Sequence, residues 1–164
     1  MENIEKIKKD LKQVLSERRY EHSIGVMNMA EEFAKIYKVD IETAKIAGLL
    51  HDNAKEMTKE EMLKYVEENN IEITEFEKLN VPILHGKIGA DIAKKKYGVS
   101  EQIAKAIEYH TTTSPKMDTL AKIIYVSDKV ELTRKSEKFD IESERKLATI
   151  DLDKAVLLII NNTT

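Results

Sequence analysis

The chain contains no cysteine. That excludes disulfides and thiolate ligation, so any bound metal must be held by nitrogen and oxygen donors, which fits iron, manganese, zinc, cobalt or magnesium. Only 2 prolines and 5 glycines occur in 164 residues, too little punctuation for the many short strands of an all-β fold. No apolar run approaches the ~18 residues of a membrane span; the longest, Ala155 to Ile160, has helix-core length. The opening Met1-Glu2-Asn3-Ile4-Glu5-Lys6 lacks the apolar core of a signal peptide, so the expected location is cytoplasmic. A net charge of −3 with Lys and Glu interspersed leaves no clustered basic face, and neither nucleic acid nor membrane is an expected partner.

What is present favours helix. Apolar residues make up 41% and charged residues 35%, the balance of one helical domain with a solvated exterior. Apolar spacing of three and four predicts helices over 2–15, 17–37, 41–52, 59–66, 84–97, 101–110 and 120–132. Asp40, Thr58 and Ser100 stand at N-cap positions. Residues 67–81 read as irregular with one short helical piece near 75–79, and 133–145 as a charged loop. A last helix runs from 143 or 149 to 160. The expectation is an all-α single domain, 1–164, with seven to nine helices.

Within this frame Leu49-Leu50-His51-Asp52 stands out: an apolar helix ending in a histidine and a carboxylate. Burying that pair is costly without a compensating charge, and a metal ion supplies one. The other histidines, His22, His85 and His110, also sit on or at the ends of apolar-patterned helices. Any one of them alone reads as a satisfied imidazole; all four behaving alike points to one shared site. Asp128 follows the apolar run Ile123-Ile124-Tyr125-Val126 and joins them as a carboxylate in need of a cation.

The ordered pattern His22, His51-Asp52, His85, His110, Asp128 resembles the HD-domain metal-dependent phosphohydrolases, whose fold is all-α. The words Arg19-Tyr20-Glu21-His22-Ser23, Gly48-Leu49-Leu50-His51-Asp52, Ile83-Leu84-His85-Gly86-Lys87 and Glu108-Tyr109-His110-Thr111-Thr112 narrow this to the YqeK family, over about residues 15–160. The resemblance implies symmetrical cleavage of diadenosine tetraphosphate to two ADP, by a hydroxide bridging two metal ions. It implies His22, His51, Asp52 and Asp128 as ligands of one ion and His85 and His110 of the other, with Asp52 bridging. Family similarity favours iron; manganese, cobalt and zinc are alternatives.

So anionic a substrate calls for cations. Lys55, which also reads as a complement to its helix dipole, is the candidate catalytic cation beside Asp52. Arg19, Lys87 and Arg134 join Lys55 as candidate phosphate contacts, as do Thr111 and Thr112, while Ser23 reads as a support for His22. One departure follows Asp128: the resembled family has Glu-Pro and then arginine, whereas here Glu131 precedes Leu132, with Arg134 beyond. The chain also ends soon after Ile160, where relatives tend to continue. The alternatives are another HD-domain nucleotide phosphohydrolase, or a non-catalytic metal- or nucleotide-binding protein. A homodimer is left open.

Overall fold

The structure, a computed structural model, describes residues 4–134 and 140–163. Among these, the chain forms α1 (Ile4–Val14), α2 (Glu17–Tyr37), α3 (Ile41–Leu50), α4 (Lys59–Glu68), α5 (Glu75–Leu79), a 3₁₀ turn (Val81–Leu84), α6 (His85–Tyr97), α7 (Glu101–Thr112), α8 (Thr119–Val130), α9 (Ile141–Ile150) and α10 (Leu152–Thr163). No strand occurs among the described residues. The all-α expectation is met, with one helix more than the upper end of the expected range.

Caps explain most boundaries. Ser16, Asp40, Thr58 and Ser100 each accept a hydrogen bond from the backbone N–H three residues on, a contribution of about 1 kcal/mol apiece. Thr58 with Glu61 and Thr74 with Glu77 form capping boxes, and the second opens α5 where the short helical piece near 75–79 is expected. Near the C-terminus one expected helix is two. Asp151 is extended at φ −147°, ψ 97°, and its carboxylate accepts from Lys154 N at 3.1 Å, so the helix stops and restarts there. The expected loop over 133–145 is shorter for the same reason: Asp140 caps Ser143 and opens α9, while 135–139 lie outside the described residues.

The core sits where α2, α3, α7 and α8 meet, around fully buried Phe33, Ile46, Leu49, Leu50, Ile107 and Ile123. Each such side chain contributes about 1.5–3 kcal/mol relative to exposure. Two glycines set distances that matter for the site. A Cβ on Gly48 would stand 3.1 Å from the Met27 backbone, so α2 and α3 cross in direct contact just before His51. A Cβ on Gly86 would meet Thr111 Oγ1 at 2.5 Å and Glu108 O at 2.8 Å; its absence lets the start of α6 touch the end of α7. A smaller cluster of Ala54, Met62, Val66, Leu84 and Ile88 anchors the 3₁₀ turn that delivers His85.

Candidate metal centre

All four imidazoles are tied down through Nδ1. His51, His85 and His110 lie 2.7, 2.8 and 2.6 Å from the carbonyls of Gly48, Pro82 and Ile107. His22 differs, reaching the Glu131 carboxylate at 2.7 Å. Carbonyls and carboxylates only accept, so each Nδ1 carries the proton and each Nε2 is turned inward. The five helix ends or interiors of α2, α3, α6, α7 and α8 thereby aim their ring nitrogens and carboxylates at one buried spot.

Asp52 lies at its middle. Its Oδ1 is 3.3 Å from His85 Nε2 and 3.2 Å from His110 Nε2. Its Oδ2 is 3.3 Å from His51 Nε2 and 3.7 Å from His22 Nε2. Asp128 Oδ1 completes the second group at 2.8 Å from His22 and 3.3 Å from His51. Two donor sets result, His22–His51–Asp52–Asp128 and Asp52–His85–His110, each with ligand atoms within 4.8 Å of one another. All six residues are buried.

The chemistry of these sets fits divalent cations. His85 Nε2 and His110 Nε2 stand 3.1 Å apart with both Nδ1 protons committed elsewhere. As neutral rings they present two lone pairs to each other and to a carboxylate oxygen, which only a cation reconciles. In the metal-free chain protons take that part in the other set. Burial opposes charging His51, yet the Asp52 charge and hydrogen bonds to Asp128 and Asp52 push its pKa up to about 10. His22 is also raised, hydrogen bonds to Asp128 and Glu131 prevailing over burial. Asp52 and Asp128 are held well below the usual carboxylate range: burial works against this, but His51 and His110 outweigh it at Asp52, and His22 and His51 at Asp128. His110 is lowered, first by burial and then by the His51 charge despite its Asp52 contact.

A cleft of about 350 Å³ opens over the centre, lined by Arg19, Lys55, Thr111, Lys129 and Arg134 alongside Asp52, His85, His110 and Asp128, with Pro82 and Ile83 as apolar neighbours. Arg19 Nη1 is 3.7 Å from Asp52 Oδ2. Arg134 donates to the Asp128 carbonyl from Nε at 2.9 Å and to Asp128 Oδ1 from Nη2 at 3.2 Å. Leu132 is 73% exposed, and the loop returns Arg134 to the centre. Lys87 is not brought there. It donates to Glu72 O at 3.0 Å and to Glu77 Oε1 at 2.9 Å, and lines a separate cavity. Thr112 is exposed at the end of α7 and does not line the cleft, unlike Thr111.

A family profile for the HD domain matches residues 19–133. The chain belongs to the HD-domain family. Two relatives are described as symmetrical bis(5′-nucleosyl)-tetraphosphatases. That of Bacillus subtilis is 38% identical, over 93% of this chain and 81% of its own; that of Halalkalibacterium halodurans is 35% identical, over 91% and 79%. Among solved structures, a predicted HD superfamily hydrolase involved in NAD metabolism from Clostridium acetobutylicum superposes with a TM-score of 0.94 at 40% identity, covering 99% of this chain and 86% of that one.

Around the HD pair the fold also recruits residues that sequence reasoning missed. Lys129 lines the cleft with Nζ 3.2 Å from Asp128 Oδ2. Helical neighbours diverge by about 100°, so nothing in the spacing pointed a residue adjacent to Asp128 at the same site. Glu131 enters the sequence reading only as the residue before the Leu132 departure, while its buried carboxylate sits directly behind His22. Ser23 is buried beside His22, but among the described residues its hydroxyl has no hydrogen-bond partner and does not support the ring.

Proposed function

We propose that this HD-domain hydrolase is a symmetrical bis(5′-nucleosyl)-tetraphosphatase that cleaves diadenosine tetraphosphate to two ADP. The observation that carries the reading is one carboxylate, Asp52, shared by two all-N/O donor sets on the floor of a cation-lined cleft. The names of the relatives, which this chain covers over about four-fifths of their length, supply the substrate class.

His22, His51, Asp52 and Asp128 would hold one ion and Asp52, His85 and His110 the other. Iron is the preferred metal, with manganese, cobalt and zinc as alternatives that the same donors accept. When bound, a pair of divalent ions supplies Lewis acidity and lowers the pKa of a water toward neutrality. Water adds to an inner phosphorus, the central P–O–P bond breaks, and the bridging oxygen departs with the second ADP. Arg19, Lys55, Lys129 and Arg134 neutralise the tetraphosphate and the charge gathering on the departing diphosphate. Thr111 adds a hydroxyl at the rim. The burial of the six donors keeps bulk water off the reacting phosphate's inner face.

Purified protein supplied with ferrous iron and diadenosine tetraphosphate is expected to release ADP alone, read by chromatography. Equimolar ATP and AMP would overturn symmetrical cleavage. Loaded protein inert toward a panel of nucleotides would overturn the enzymatic reading.

A further inference from the structure

Three of the four histidines lean on neutral carbonyls of their own helical turn; His22 alone leans on a charge 109 residues away. Several features are arranged to keep that charge there. Glu131 is 0% exposed. It caps the C-terminus of α8, three residues after Asp128, so one helix end grips both sides of the His22 ring: Asp128 Oδ1 at 2.8 Å from Nε2 and Glu131 Oε2 at 2.7 Å from Nδ1. Thr133 locks the carboxylate in place, its N–H donating to Oε1 at 2.6 Å and its hydroxyl to Oε2 at 2.5 Å. On α2, the residue one turn after His22 is Gly25, where a Cβ would stand 2.4 Å from Glu131 Oε1. The helix leaves out a side chain where the carboxylate must fit.

We infer that Glu131 is a positioning residue that fixes the His22 tautomer and makes this imidazole a stronger donor than the other three, so that the two ions are held unequally. The inference rests on the metal-centre reading above. A carboxylate behind an imidazole orients it and raises its basicity, and such partners typically account for about 10- to 100-fold in metal affinity. The effect falls on the His22–His51–Asp52–Asp128 set; Asp52–His85–His110 has only carbonyls behind its rings.

Cobalt(II) titration followed by visible absorption, with metal content after dialysis, tests this in the intact chain. E131Q keeps the size of the side chain but removes its charge and turns one of its two acceptor oxygens into a donor. It is expected to weaken one of two binding steps by about 10- to 100-fold and leave the other unchanged. G25A reaches the same point from the other helix, displacing the carboxylate while alanine favours α2, and is expected to weaken the same step. The G25A/E131Q double variant should add little to either, since both act through one contact. Unchanged affinity for both ions in E131Q, or equal weakening of both steps, would overturn the assignment. Wild-type protein that takes up no ion would overturn the underlying metal reading, and this inference with it.

Discussion

His85 and His110 face each other Nε2 to Nε2 at 3.1 Å, with Asp52 Oδ1 within 3.3 Å of both. The Gly86 contact that presses the start of α6 onto α7 makes this approach possible. Replacing His110 by alanine is therefore expected to remove one of two ions and leave the other, a loss of half the bound metal by elemental analysis. Asp52→Ala should remove both, together with turnover, because Asp52 serves both sets. An Asp52→Ala protein that retained its full metal content would refute the bridging role.

The cleft cations are expected to act on substrate rather than on metal. For Lys55→Ala and Lys129→Ala, losing a charge-assisted phosphate contact costs about 1.5–3 kcal/mol, or roughly 10- to 100-fold in kcat/KM. Metal content should stay at the wild-type value. Steady-state kinetics beside elemental analysis separates the two effects.

Lys87 should behave in the opposite way. Its ammonium holds buried Glu77, which is 5% exposed and anchors α5. Burial pushes the Glu77 carboxyl up, and the Thr74 N–H and Lys87 more than offset it, so the group is held ionised. Lys87→Met is expected to leave KM within about twofold and to destabilise the protein by about 1–3 kcal/mol, the cost of stranding a buried polar group. A large rise in KM at unchanged melting temperature would place Lys87 on the substrate after all.

Metal removal should make stability depend on pH in the alkaline direction. His22 and His51 have raised folded pKa values, so their contribution is complete below the unfolded value of about 6.5 and disappears as pH rises, for His51 toward about 10. Asp52 and Asp128 are depressed; their contribution is complete above an unfolded value of about 3.9 and is lost on acidification below it. His110, lowered, pulls weakly the other way near neutrality. The metal-free chain should thus melt at highest temperature between about pH 4 and 6.5 and progressively lower from pH 7 to 10. The metal-loaded chain should lack that alkaline decline, because the ions replace the protons. Thermal denaturation across pH with and without chelator distinguishes the two.

Much of this was legible in the residues themselves. Apolar spacing, N-cap chemistry at Asp40, Thr58 and Ser100, and the scarcity of proline and glycine are local properties, so they mark where helices begin and which face each will bury. The four histidines and the two aspartates declared themselves because each is polar at the end or on the face of an apolar helix. Asp151 and Thr74 were less visible: a short polar side chain opens a helix only if its backbone turns the right way.

What the tertiary structure alone decided is which side chains share space. Periodicity tells which face of a helix is buried, not which residue of another helix meets it. The distances that bring the six donors together around Asp52, the glycine at position 25 that makes room for Glu131, and the placing of Lys129 rather than Lys87 in the cleft all depend on contacts across the fold. A lysine stem spans several ångströms in any direction, so its destination is set by the charge nearest its tip, and that charge is supplied by the fold. The His51-Asp52 pair reads in the sequence as a charge needing compensation; the packing of α6 and α7 against it sets Asp52 Oδ1 within 3.3 Å of His85 and His110.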